Sequence, residues 1–190
     1  MVFELVTYSD YTPNDAHKVA LEELAKQPGF RKVYFGTQVQ DPKIGYWVVE
    51  WAAAEHQAKP DNSNKEFGIT KSMVHVTFTQ PPGVDVSKAF EAPVTEFTIA
   101  TLKPGASRET LDAMLGGMHH VIATTKGALG SAHGIAEENP DQYIFTCGWE
   151  AVEDHLAALA PEASQAMIKQ LQELVEVDGK HAKLQLDKLP

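Results

Sequence analysis

Only one cysteine, Cys147, stands among the 190 residues. No disulfide can form within the chain, and a reducing, cytoplasmic setting is the expectation. Cationic residues are also few. Sixteen Lys and Arg face 26 Asp and Glu, a formal net charge of -10. Such a surface repels phosphate, so neither nucleic acid nor an anionic membrane is an expected partner. No run reaches the roughly 18 apolar residues a membrane-spanning helix needs. The start, MVFELVTYSDY, reads as a strand with acidic residues and lacks the basic opening of a signal peptide. Metal-ligand patterns are missing too. The eight histidines include no helical i, i+4 pair, no His-x-His and no cysteine cluster beside them, so no metal is expected. There is no phosphate loop, because Gly116-Gly117 fall within a helical pattern rather than after a strand.

What is present is a repeat. Shifting the sequence by 98 residues lays Gly29 on Gly127, Gly36 on Gly134, Pro42 on Pro140, Trp51 on Trp149 and Glu55 on Glu153. Upstream the shift shrinks, with Glu4 on Glu96 and Pro13 on Pro104. The stretch QPPGVDVSKAFEAP, rich in proline, reads as a connector. The expected organisation is a first repeat over 1–80, a linker over 81–93 and a second repeat over 94–190.

Each repeat reads as strand, helix, two strands, a short acidic helix and a last strand. Thr12 caps the first helix in copy one and Ser107 its partner in copy two. Leu111, Met114, Leu115, Met118 and Ile122 form the apolar stripe of the second. Pro161 opens a further helix, and an Asp178-Gly179 turn precedes a final strand over 181–186. The fold class is therefore α+β: tandem ferredoxin-like repeats, each a sheet with helices on one face. Two bare sheet faces could bury one another, which predicts a monomer built as an internal pseudo-dimeric barrel.

The spacing Gly-x6-Gly, Asn139-Pro140-Asp141, Tyr143, Trp149 and His155 resembles the dimeric α+β barrel superfamily, and within it the antibiotic-biosynthesis-monooxygenase type. The resemblance covers 94–158 well and 1–58 weakly. It implies chemistry on a small aromatic or polyketide-like molecule without metal or flavin, by oxygenation or by acid–base cyclisation or isomerisation. Two positions depart from the pattern. Phe145 stands where oxygenases of this type carry a substrate-holding Asn. Leu159 stands where haem-degrading members carry a ligand His, with Asp61 as its counterpart in copy one. Haem or another hydrophobic ligand held without turnover is the alternative, and a non-catalytic stress-type barrel is a third.

The differences between copies nominate a site in copy two. Ala128, Gly130, Ala132, Gly134 and Ala136 share one strand face, where copy one has Phe30, Lys32, Tyr34, Gly36 and Gln38. Either a helix packs closely there or space opens for a ligand, with Ala132 on its wall. His155 and His133 are the candidate proton carriers, because imidazole titrates near neutrality. Glu96 is a second polar group, since a carboxylate on a central strand needs a partner. Trp149, Phe145 and Tyr143 are the candidate apolar wall, and His119 borders the helix stripe and could reach inward. Gly116-Gly117 suggest a kink or a close contact. Cys147 has no basic neighbour on its strand and reads as inert.

Overall fold

The computed structural model describes residues 2–54, 66–80 and 85–187. It contains eight strands and five helices among those residues: β1 (Val2–Ser9), α1 (Asp15–Ala25), β2 (Phe30–Gln38), β3 (Gly45–Trp51), β4 (Ile69–Val76), α2 (Ser87–Phe90), β5 (Val94–Leu102), α3 (Arg108–Ile122), β6 (Ala128–Ile135), β7 (Gln142–Trp149), α4 (Val152–Leu159), α5 (Glu162–Leu174) and β8 (Val175–Leu186). The chain divides into two compact units, residues 1–77 with 182–190, and residues 78–181. The short helix expected after Trp51 falls largely on residues outside the described set.

In the first unit the strand order is β4-β1-β3-β2, with the end of β8 beside β2. In the second it is β5-β7-β6, with the start of β8 beside β5. Every pairing given by register is antiparallel. The central strands β3 and β7 alternate apolar residues on both faces, and both are buried along nearly their whole length.

The two units share backbone features. Val2 pairs with Trp51 as Val94 pairs with Trp149. A bulge interrupts β2 between Phe30 and Lys32, and its match interrupts β6 between Ala128 and Gly130. Just before each bulged strand a glycine adopts a left-handed φ, 78° at Gly29 and 81° at Gly127. Each then accepts a 2.8 Å bond at its carbonyl, from Ala52 N–H and Glu150 N–H respectively. The identity of Gly29 and Gly127 at a shift of 98 thus marks a position where the chain must turn.

Three local expectations change. The cap of α1 is Asn14, whose side chain accepts from His17 N–H at 3.1 Å, rather than Thr12. Ser107 does cap α3, accepting from Thr110 N–H at 3.2 Å. No turn forms at Asp178-Gly179. Strand β8 runs through it, with Gly179 passing close to the Thr98 hydroxyl. Residues 85–93, read as connector, hold α2 and bury Val86, Ala89, Phe90 and Ala92, because their apolar side chains find the back of β7 and β6.

Candidate functional site

In the second unit, one face of β5, β7 and β8 is roofed by α3, α4 and α5. A cavity of ≈ 360 Å³ lies between them, within the range of about 300–1,000 Å³ usual for small-molecule sites. Alternation explains its wall. Tyr143, Phe145 and Trp149 project from one face of β7, with Leu115, Met118 and Ile122 from α3 and Met167, Ile168 and Leu171 from α5. No Lys or Arg lines it among the described residues.

One end is polar. Glu96, on β5, is buried and accepts from two neighbours. The Thr98 hydroxyl donates to Oε1 at 2.7 Å, and the Trp149 indole N–H donates to Oε2 at 3.0 Å. The ring of His155, on α4, stacks on Trp149 with centroids 4.9 Å apart and planes at 22°. This places its Nε2 3.4 Å from Glu96 Oε2. That is an ion-pair distance but long for a hydrogen bond. His155 Nδ1 meets Nε2 of His181, on β8, at 2.7 Å. Burial and the neighbouring His155 push His181 below the usual imidazole range, against a smaller pull from Glu96. The loop before β6 holds α4 in place. Gly127 is so close to Asp154 that a Cβ there would sit 2.5 Å from its Cγ.

Five of the eight residues singled out in the sequence converge on this cavity: Glu96, Tyr143, Phe145, Trp149 and His155. Three do not line it. Ala132 is fully buried and pairs with Thr146, on the sheet face that α2 covers. On that face a Cβ at Gly148 would meet Ala92 Cβ at 2.7 Å and Ala89 Cα at 2.9 Å. The small residues there admit a close-packed helix, not a ligand. His119 and His133 form a separate cluster. His119 Nδ1 meets the Ser131 hydroxyl at 2.7 Å, and its Nε2 meets His133 Nδ1 at 2.7 Å. His119 stacks on Phe145 with centroids 5.6 Å apart, so it backs the cavity wall without entering the cavity. Burial, with His133 and His120 nearby, pushes it down to about 4.

Thr98 and His181 were missed. The signal was available: both final strands carry a histidine, His75 and His181, and both first strands a glutamate. In the first unit His75 Nε2 lies 3.2 Å from Glu4 Oε2, the counterpart couple. There the neighbouring space is filled. Tyr11, His17, Trp47 and Phe67 stack and bond, with Tyr11 Oη 2.6 Å from His17 Nε2 and Trp47 parallel to Phe67 at 5.3 Å. Trp51, counterpart of Trp149, has no partner for its indole N–H among the described residues. Cys147 is buried, and burial with Glu96 nearby pushes its thiol well above the usual range.

No protein-family model matches the sequence, and no curated protein matches it. Solved structures match along nearly the whole chain. An anthrone oxidase-like protein has 16% identity and a TM-score of 0.68, covering 98% of this chain and 92% of its own. A proposed monooxygenase of Lactobacillus acidophilus has 14% identity and a TM-score of 0.61, covering 97% and 95%. The haem-degrading enzyme of Listeria monocytogenes has 9% identity and a TM-score of 0.53, covering 95% and 99%. The chain therefore has the α+β fold shared by these barrel proteins. At such identities the likeness speaks to fold alone. No helix among the described residues is long and apolar enough to cross a membrane.

Proposed function

We propose that the chain is an enzyme that takes a proton from a small aromatic or polyketide-like molecule held in the second unit's cavity, with neither metal nor flavin. The observation that carries this reading is a Glu–His couple, Glu96 and His155, at the polar end of an otherwise apolar cavity. A flat ligand lies against Tyr143, Phe145 and Trp149 with an acidic C–H or O–H toward His155. Nε2 accepts that proton, the C–H or O–H electron pair stays on the ligand, and Glu96 offsets the imidazolium charge. The low-polarity wall excludes water and strengthens that attraction.

Dioxygen is the co-substrate this reading favours. A methylene then becomes a carbonyl. One atom of dioxygen is retained as the carbonyl oxygen, and the other leaves as water with the two methylene hydrogens. The carbon is oxidised and dioxygen is the oxidant, so no further reductant is needed. Cyclisation or isomerisation is the variant in which the same carbanion reacts within its own molecule. Both share the deprotonation. Against a haem site, Leu159 offers no ligand from α4.

Anthrone is a suitable probe, being flat, uncharged and acidic at its methylene. Dioxygen uptake above the buffer rate should appear with the wild type and disappear with His155→Gln, with the variant shown to be folded by its circular dichroism and urea unfolding. Uptake that survives this substitution would remove His155 from its role.

A further inference from the structure

The 2.7 Å contact between two cavity-lining imidazoles is not used by a mechanism that needs only His155 and Glu96. Two neutral rings at that distance must share one hydrogen, so one nitrogen donates and the other accepts. The Nδ1 contact, at 2.7 Å, is shorter than the 3.4 Å from Nε2 to Glu96. An N–H placed on Nδ1 points at His181 Nε2 and leaves the lone pair on Nε2. In histidine bases the hydrogen bond at one nitrogen decides which nitrogen is basic.

We propose that His181 is a positioning residue that fixes this tautomer and shares the proton His155 removes from substrate, so that the two rings bind one proton as a unit. This rests on the deprotonation reading above. After transfer to His155 Nε2, the Nδ1 hydrogen lies between the rings, so the positive charge is shared with His181 while Glu96 stays beside His155. No atom is lost: one proton enters at Nε2 and one is shared across the pair. A second proton is opposed by the first.

The surroundings favour a single charge. The titratable groups lining the cavity are Glu96, Tyr143, His155 and His181. Glu96 faces the pair from β5. From β7 come Trp149, which is not titratable here, and the buried Cys147 beside Glu96. α3 and α5 bring apolar side chains, Ser164 and Gln172. On β8, Asp178 and Lys180 pair with each other. On α4, Glu153 is exposed and Asp154 packs on Gly127. Burial opposes charging His181, which disfavours a second charge on the pair, and Glu96 stands beside the first.

The test is a 15N NMR titration of the ligand-free protein over about pH 5–8, alongside the pH–rate profile with anthrone. The wild type should show the His155 and His181 nitrogens moving together in one step that takes up one proton. His181→Gln keeps an acceptor for the Nδ1–H but cannot take the proton. It should let His155 titrate alone with its midpoint moved by about one unit or more, and the rate profile should move with it. His181→Leu, which removes the acceptor, should lower the rate further than His181→Gln. Independent titration of the two rings in the wild type would overturn the proposal, as would an unchanged His155 midpoint in His181→Gln. Joint titration without any turnover of anthrone would leave the proton-sharing pair standing and count against the deprotonation reading instead.

Discussion

At the scale of single residues, the buried histidines differ in what they respond to. His119 is locked between Ser131 and His133 and pushed down to about 4 from 6.5. His133 is lowered too, by burial. A folded value below the unfolded one means that the unfolded chain binds the proton first as pH falls. The contribution of this cluster is thus present above about pH 6.5 and lost progressively toward about pH 4. Urea unfolding at about pH 7 and about pH 4.5 should show a smaller loss for His119→Gln than for wild type. An equal loss would place the acid sensitivity elsewhere. Gly148 makes the opposite kind of demand, for space. Gly148→Val should destabilise by about 1–3 kcal/mol, because its branches would enter α2. Unchanged stability in denaturant melts would mean that α2 yields freely. Glu96, Trp149 and His155 could be read from the sequence because polar residues at repeat positions need partners. His133 and Ala132 could not be placed, since a strand's alternation gives the face but not what covers it.

At the scale of elements, the helix α3 carries Gly116 and Gly117 without a close neighbour, and a Cβ at either would meet nothing within 4 Å. Gly117 is exposed. Gly117→Ala should therefore raise stability by about 1 kcal/mol through helix propensity alone. A loss in the thermal or urea midpoint would reveal a contact that this geometry does not contain. The apolar stripe of α3 was legible from its 3.6-residue period, and Leu115, Met118 and Ile122 do face the cavity. The course of β8 was not. Asp178-Gly179 has the residues of a tight turn, yet the strand continues because pairing with β5 outweighs a local preference. The helix α2 was hidden for a similar reason. The prolines of residues 81–93 suggest a connector, while Val86, Ala89 and Phe90 follow a pattern too short to declare a helix.

At the scale of the molecule, the two units share backbone features and differ around their carboxylates. The correspondence was legible at Gly29 and Gly127, whose left-handed φ precedes a bulged strand, and at Trp51 and Trp149, which hold matching register. The fate of the two cavities was less so. In the first unit, Phe67 and Tyr11 fill the aromatic cluster around Trp47, and Phe67 lies beyond the stretch where the copies align well. In the second, the corresponding space stays open, and its carboxylate meets Trp149, Thr98 and His155, which in turn meets His181. The central claim is that this open cavity removes a proton. The most direct measurement is anaerobic exchange of the anthrone methylene in heavy water, followed by proton NMR, with wild type and His155→Gln side by side. Without dioxygen, deprotonation is observed apart from any later step. The account predicts that the wild type accelerates the loss of the methylene signal by about a hundredfold or more over buffer, and that His155→Gln does not. Exchange at the buffer rate while anthrone occupies the cavity would contradict it.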